Sequence, residues 1–277
     1  MLASLRAMNA PRIAIFDSGV GGLTVAHAVH AKLPGAHLRY LGDTARLPYG
    51  TKSAQTVTRY ALQAAAALLS DGARVDALVV ACNTASSCAL PALKESYDFP
   101  VLGVIGPGAR RAVAASATGH IGVIGTERTV QSGAYEQAIA ALNADAVVHA
   151  RATPLLVGLA EEGWCDGPVA EAALHAYLRP WLADPTVARI DTVVLGCTHY
   201  PALKAVIGRV FAEILGREVG LVDSADAIAE ELALRLPDAT MGEGRVELFA
   251  TDALDRFARV GGLFFPVDRA HLALIDL

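Results

Sequence analysis

The chain has 277 residues, of which 53% are hydrophobic and 18% are charged, so it can form one or two packed cores and is not intrinsically disordered. Its net charge of -5, without a run of Lys or Arg, argues against a nucleic-acid partner. Residues 1–11 lack the apolar stretch of a signal peptide and no later segment is apolar enough to span a membrane, so the sequence predicts a cytoplasmic protein.

Short runs rich in Val, Ile and Leu alternate with Ala-rich stretches, which is typical of α/β proteins whose mostly parallel sheets are flanked by helices. Strands are predicted at 13–16, 38–41, 77–81, 101–105, 121–124, 147–150, 192–196, 219–222 and 246–250. Helices are predicted at 53–70, 131–142, 169–182, 202–215 and 225–236. Ser53 would cap the first of these and Gly72 would stop it, whereas Pro180 should kink or end the third.

A weak internal repeat indicates two related lobes. The segment 78–84, which contains Cys82, is echoed by 193–199, which contains Cys197, and both copies continue into Pro-Ala-Leu-Lys. Segments 13–18 and 121–126 resemble each other in the same way, since each is an apolar run that ends in a small or polar turn. Duplication of one α/β lobe explains both echoes.

Polar side chains follow several predicted strands, where the ligands of open parallel sheets bind. These residues are Asp17, Ser18, Asp43, Cys82, Asn83, Thr84, Thr126, Cys197, Thr198 and His199. Cys88 and Cys165 are interpreted as small core residues. Cys82 and Cys197 each close a strand and are expected to face a helix N-terminus, which favours the thiolate.

Two reactive thiols could bind a metal, exchange disulfides or transfer protons. Their separation along the chain fits no usual zinc spacing, and neither has a nearby resolving cysteine. Acid and base catalysis at one carbon needs two groups on opposite faces, which one cysteine from each lobe would supply. The sequence therefore favours proton transfer, with no metal and no cofactor.

The glycine-rich loop 17–24 follows the first predicted strand. It lacks the third glycine of a dinucleotide-binding fingerprint, and the chain contains no GxxxxGK[ST] motif. Its backbone N–H groups could hold a substrate carboxylate, which is the favoured interpretation. A tight turn that needs glycine for its backbone remains the alternative.

Four separated blocks, at 16–24, 42–50, 81–86 and 196–201, resemble the signature blocks of glutamate racemases, in the aspartate/glutamate racemase superfamily. Weaker resemblance continues through Gly125, Thr126, Thr129, Ser132 and Tyr135, so that the match runs from about residue 13 to the C-terminus. The resemblance implies two pseudosymmetric α/β domains, 1–105 with 218–277 and 106–217, with the active site in the cleft between them.

The same resemblance implies residue roles. Cys82 would act on D-glutamate and Cys197 on L-glutamate, assisted by Asp17, His199 and, with a weaker match, Glu161. Substrate contacts would come from Asp17, Ser18, Tyr49, Gly50, Asn83, Thr84, Thr198 and His199. The product would be D-glutamate for peptidoglycan. The chain departs from the family at Gly106 and at 153–158, which lie near the expected hinge and the second-lobe wall of the pocket.

Two other functions stay open on the sequence alone. The first is a racemase of the same superfamily that acts on aspartate or another amino acid, because two thiols do not specify the length of the substrate. The second is a non-catalytic regulatory protein on the same fold. The sequence predicts a small-molecule substrate and no membrane partner, and it allows a homodimer without requiring one.

Overall fold

The computed structural model describes residues 10–70, 72 and 74–277. The chain divides into two compact units, Met1–Val104 with Ala225–Leu277 and Ile105–Ser224. The prediction that the N-terminus carries no signal peptide falls mainly on residues 1–9, which lie outside the described residues. In the described part of the chain, no helix combines the length and the apolar character needed to cross a bilayer.

Strands and helices alternate along the chain as predicted. The strands are β1 Arg12–Asp17, β2 His37–Gly42, β3 Ala77–Val80, β4 Val101–Gly103, β5 His120–Gly125, β6 Val147–Ala152, β7 Thr192–Gly196, β8 Gly220–Asp223, β9 Val246–Ala250 and β10 Leu272–Leu274. The helices are α1 Leu23–Lys32, α2 Ala54–Leu68, α3 Asn83–Cys88, α4 Leu90–Ser96, α5 Ile105–Ala115, α6 Glu127–Gln131, α7 Ala134–Ala140, α8 Leu155–Glu161, α9 Pro168–Leu182, α10 Lys204–Leu215, α11 Ser224–Arg235 and α12 Leu254–Gly261.

The first unit contains a sheet with the strand order β10-β9-β2-β1-β3-β4, in which all the paired strands run parallel. All four residues of β3 and the last five of β1 are buried. Such continuous apolar strands form where helices cover both faces of a parallel sheet. One core cluster packs α2 against these strands and includes Phe16, Val57, Leu68, Leu78 and Val80.

The second unit contains a sheet with the order β6-β5-β7-β8, again with parallel pairing. This order repeats β2-β1-β3-β4 of the first sheet, with β5 in the place of β1 and β7 in the place of β3. A core cluster of this unit includes Ala109, Ile121, Val123, Ile139 and Val194. The matching strand order supports the duplication that the sequence repeats predict, and the α/β fold class is confirmed.

The predicted domain boundary at residue 218 lies seven residues before the boundary in the structure, at Ala225. β8 pairs with β7 along Thr192–Leu195, so it completes the second sheet and lies in the second unit. The second unit therefore extends to Ser224, and the C-terminal part of the first unit begins at Ala225. The two units end their matching strands in the same way, since the last strand of each matching set, β4 or β8, is followed by a helix, α5 or α11.

Several element boundaries also differ from the prediction. The helix predicted at 131–142 is the shorter α7, and a separate helix, α6, precedes it and ends at Gln131. Gly133, which adopts a left-handed conformation with φ of 63°, separates the two helices. The strand predicted at 101–105 ends at Gly103, and Ile105 begins α5. Pro180 does not end α9, which continues to Leu182. The short strand β10 was not predicted.

Candidate active site

Cys82 lies two residues beyond β3 and caps α3 in the first unit. Its sulfur accepts a hydrogen bond from the Ala85 N–H at 3.4 Å and donates one to the Ser18 hydroxyl at 3.4 Å. Because the first N–H groups of a helix lack partners within the helix, this position stabilises negative charge on the sulfur. The prediction that Cys82 faces a helix N-terminus is confirmed.

Asp17 ends β1 and is fully buried beneath the glycine-rich loop. Its carboxylate accepts the Gly19 N–H at 2.9 Å, and the Gly19 carbonyl accepts the Tyr40 hydroxyl at 2.7 Å. Burial raises the pKa of Tyr40, and the negative charges of Asp17 and Cys82 raise that pKa further. The structure therefore brings Asp17, Ser18 and Cys82 together, as predicted.

The glycine at position 22 is required by space rather than by backbone conformation, because its φ of -63° is open to any residue. A Cβ at Gly22 would lie 2.4 Å from the Asp17 Cβ. Real Cβ atoms do not approach so closely, so a side chain here would displace Asp17. The loop 17–24 thus packs its main chain directly on the carboxylate.

The other predicted substrate contacts of the first unit occupy two places. Asn83 and Thr84 are buried in the first turn of α3, next to Cys82. Tyr49 and Gly50 form the 3₁₀ turn Tyr49–Thr51, where the Tyr49 side chain is only 1% exposed. The Tyr49 hydroxyl donates to Asp43, which the sequence analysis placed after a strand and within the block 42–50 without giving it a role.

In the second unit, Cys197, His199 and Glu161 form a chain of contacts. The Cys197 sulfur lies 3.8 Å from Nδ1 of His199, and Nε2 of His199 lies 3.1 Å from Oε1 of Glu161. Glu161 ends α8, and its carboxylate is largely enclosed, with 14% of the side chain exposed. Glu161 was the weakest of the predicted assisting residues, yet it contacts His199 directly.

The pKa of His199 reflects these contacts. Burial by itself lowers the pKa, but hydrogen bonds to the Cys197 sulfur and the Glu161 carboxylate outweigh it and raise the pKa to about 10. Both ring nitrogens then carry a proton near neutral pH and donate, one toward sulfur and one toward carboxylate. The protonated His199 therefore places a positive charge and a hydrogen-bond donor next to the Cys197 sulfur.

Cys197 does not cap an α-helix, contrary to the prediction. The chain continues into the 3₁₀ turn Tyr200–Leu203, with Pro201 in its first turn, before α10 begins at Lys204. The Cys197 carbonyl instead accepts the Tyr200 N–H at 3.1 Å. The positive partner of this thiol is therefore a side chain, His199, in place of a helix terminus.

A second layer of polar contacts supports Cys197. Tyr200 is fully buried and donates its hydroxyl proton to the Thr153 carbonyl at 2.8 Å, while the Thr153 hydroxyl donates back to the Tyr200 oxygen at 2.9 Å. Burial and then the charge of Cys197 raise the pKa of Tyr200. Thr198 is also buried, between Cys197 and His199 in the chain. The sequence analysis gave neither residue a role, although Tyr200 lies in the block 196–201 and Thr153 in the divergent segment 153–158.

The family model described as Asp/Glu/Hydantoin racemase matches residues 24–232. A glutamate racemase of Geobacter metallireducens is 51% identical, over 91% of this chain and 92% of the relative. The crystal structure of a Thermus thermophilus glutamate racemase in complex with β-chloro-D-alanine is 41% identical, with a TM-score of 0.82 and 97% of each chain covered. That of a Francisella tularensis glutamate racemase in complex with D-glutamate is 33% identical, with a TM-score of 0.85, 97% of this chain and 98% of that chain covered. With a family match over most of its length and relatives this similar, the chain belongs to the Asp/Glu/Hydantoin racemase family and, within it, to the glutamate racemases.

Proposed function

We propose that this enzyme interconverts L-glutamate and D-glutamate by a mechanism with two thiols and no cofactor. The observation that carries the proposal is the equivalence of Cys82 and Cys197. Cys82 lies two residues beyond β3, and Cys197 directly follows β7. These two strands hold the same place in the matching orders β2-β1-β3-β4 and β6-β5-β7-β8. Each sulfur also has a partner that stabilises negative charge, the Ala85 N–H for Cys82 and His199 for Cys197. Two equivalent thiols supply the symmetry that inversion of one carbon requires.

In each direction, one thiolate removes the α-proton and becomes a thiol. The opposite thiol then gives its own proton to the other face of the carbanion and becomes a thiolate, so that one proton is lost and one gained. We assign proton removal from D-glutamate to Cys82 and from L-glutamate to Cys197. After each turnover the two sulfurs have exchanged protonation states, and the reverse reaction starts from that state.

The carbanion needs electrostatic stabilisation, since the α-proton of an amino acid is a very weak acid. We propose that Asn83, Thr84 and Thr198, together with main-chain N–H groups of the glycine-rich loop, hold the substrate as charge builds on its α-carboxylate. Asp17 and Ser18 would assist Cys82, and His199 with Glu161 would assist Cys197. Buried surroundings strengthen each of these contacts.

Glutamate as the substrate is supported by the relatives, because one similar glutamate racemase has been solved with D-glutamate bound. We propose that the product D-glutamate serves peptidoglycan synthesis and that the enzyme works in the cytoplasm. A glutamate racemase with this role would place the chain in cell-wall biogenesis and the maintenance of cell shape.

Circular dichroism of L-glutamate and of D-glutamate, incubated separately with purified enzyme, tests the proposal. The enzyme would first be treated with a chelator and dialysed under reducing conditions. Both solutions should lose ellipticity and converge to zero without any added cofactor. Faster conversion of aspartate would assign the substrate differently, no conversion of any amino acid would favour a regulatory protein, and restoration by zinc or pyridoxal phosphate would overturn the mechanism.

A further inference from the structure

A buried carboxylate outside the catalytic groups, Asp43, ties two distant segments of the first unit together. Asp43 is fully buried directly after β2. Its Oδ1 accepts the Thr251 hydroxyl at 2.9 Å, whereas its Oδ2 accepts Arg46 Nε at 2.7 Å and the Tyr49 hydroxyl. Both carboxylate oxygens of Asp43 therefore accept hydrogen bonds from other residues, and one of these donors, Thr251, follows β9.

The contact between the loop 43–50 and the segment after β9 is reciprocal. The Thr251 hydroxyl, which donates to Asp43, also accepts the Ala45 N–H at 2.9 Å. The Thr44 hydroxyl donates to the Asp252 carbonyl at 2.6 Å and accepts the Asp252 N–H at 2.9 Å. The Thr251 hydroxyl thus holds the start of the loop 43–50, and the Thr44 hydroxyl of that loop in turn holds the main chain of Asp252.

The segment after β9 is held in an unfavourable backbone conformation. Ala253 has φ of 54°, in the left-handed region that residues with a Cβ rarely adopt. The Ala253 N–H donates to the Asp252 carboxylate at 2.7 Å, and this hydrogen bond stabilises the turn. A strained conformation persists where surrounding contacts determine it, and the bonds to Thr44 and Asp43 are such contacts.

The side chain of Tyr49 is enclosed by aromatic rings. Its ring centroid lies 6.3 Å from that of Phe16 and 5.8 Å from that of Tyr60, while the guanidinium of Arg46 lies 4.3 Å from the Tyr60 centroid. Burial, followed by the charge of Asp43, raises the pKa of Tyr49 far above its ordinary value, so the hydroxyl keeps its proton. That single proton is donated to Asp43.

We infer that Thr251 and Asp43 are positioning residues that hold the main chain at Tyr49–Gly50 for a substrate carboxylate, and that the Tyr49 side chain anchors this turn instead of touching substrate. The inference rests on the proposed function for the identity of the substrate. Gly50 is partly exposed and has no side chain to obstruct a ligand that approaches the main chain. The C-terminal segment of the first unit then contributes to substrate binding without contacting the substrate.

Replacing Thr251 by Val removes the hydroxyl at nearly constant volume and breaks the bonds to Asp43 and Ala45. Since one hydrogen bond to a charged group is typically strong, the KM for both enantiomers should rise about tenfold, with a smaller change in kcat. Thr251→Ser keeps the hydroxyl and should therefore have a KM close to that of the wild type. Thr240→Val is the matched control, because the Thr240 hydroxyl donates to the Pro237 carbonyl at the exposed opposite end of the sheet.

Amide hydrogen exchange provides a readout that does not depend on activity. In Thr251→Val, residues 44–51 should exchange about tenfold faster than in the wild type, while α2 keeps its wild-type rates. If the wild type converts no glutamate, the proposed function fails, but the exchange result still decides whether Thr251 holds the loop. Unchanged KM and unchanged exchange in folded Thr251→Val, or equal effects in Thr240→Val, would overturn the inference.

Tyr49→Phe separates anchoring from direct binding and remains informative if Thr251→Val does not fold. It should raise KM and accelerate exchange of residues 44–51 together, because the turn loses its bond to Asp43. A raised KM with unchanged exchange would mean that the hydroxyl binds substrate itself. In the double variant with Thr251→Val, the two effects on KM should combine less than additively, since both residues act through Asp43. Full additivity would count against the shared role.

Discussion

The Cys197 sulfur lies 3.8 Å from Nδ1 of His199, and the second ring nitrogen of that histidine lies 3.1 Å from Oε1 of Glu161. The equivalent Cys82 has no histidine two positions later and meets the Ala85 N–H and the Ser18 hydroxyl instead. The two sulfurs at matching strand ends therefore have different partners. Cys197 lies next to a titratable side chain, His199, whereas Cys82 accepts a hydrogen bond at the N-terminus of α3.

The first prediction concerns pH and the stability contributed by His199. Its folded pKa of about 10 lies above the ordinary value of 6.5, so the folded state binds this proton more tightly than the unfolded state. The stabilisation is present in full below about pH 6.5 and is lost as the pH rises through about 10. The difference in free energy of unfolding between wild type and His199→Gln should therefore shrink over that interval. Urea titrations at several pH values measure it, and a constant difference would contradict the assignment.

The second prediction concerns the residues that assist the thiols. Asp17→Asn and His199→Asn should each lower kcat by about 10² to 10⁴-fold, the range for one positioned proton-transfer group, while circular dichroism shows an intact fold. Glu161→Gln should have a milder effect, because His199 keeps its contact with Cys197. It should also lower the pKa of His199, which NMR titration of the ring would detect. Near-normal rates in folded Asp17 or His199 variants would reject their roles.

The third prediction concerns the cysteines themselves. Serine keeps nearly the same size but does not ionise near neutral pH, so Cys82→Ser and Cys197→Ser should each abolish racemisation almost completely. In deuterated water the wild type should place deuterium at the α-carbon of the newly formed enantiomer, because the donating thiol has exchanged with solvent. Normal racemisation by either variant would refute the two-thiol mechanism.

An analogue with a leaving group at the β-carbon makes this test stereospecific, since elimination needs only one proton removed. A similar glutamate racemase from Thermus thermophilus has been solved with β-chloro-D-alanine, which is such a compound. Cys197→Ser should retain elimination from the D-form through Cys82, and Cys82→Ser should retain it from the L-form through Cys197. Retention of the same enantiomer by both variants would show that the thiols do not act on opposite faces.

The fourth prediction compares two glycines. A Cβ at Gly22 would lie 2.4 Å from the Asp17 Cβ, whereas a Cβ at Gly158 in α8 meets nothing within 4 Å. Gly22→Ala should therefore displace Asp17 and lower kcat strongly, while Gly158→Ala should keep activity and gain about 0.5–1 kcal/mol, as alanine in helices does. Thermal unfolding and kinetic assays of the two variants measure this contrast. Wild-type kcat in Gly22→Ala would mean that the loop moves without consequence for Asp17.

The sequence alone determined the α/β class, most strand positions and the two related lobes. These features depend on local patterns, because a strand buried on both faces must be continuously apolar whatever its neighbours are. The repeat around Cys82 and Cys197 likewise placed both thiols at strand ends, and the shared order of the two sheets agrees with it. The boundary at residue 218 was wrong because β8 resembles any other apolar run until its pairing with β7 is known.

Only the tertiary structure decided which polar residues meet. Glu161 and His199 are far apart in the chain and come into contact because α8 ends beside the turn after β7. Asp43 and Thr251 meet because β9 pairs in parallel with β2, which brings their carboxyl ends to one edge of the sheet. No local pattern encodes such a pairing, since hydrogen bonds between side chains depend on strand register and loop path, and register is a property of the assembled sheet.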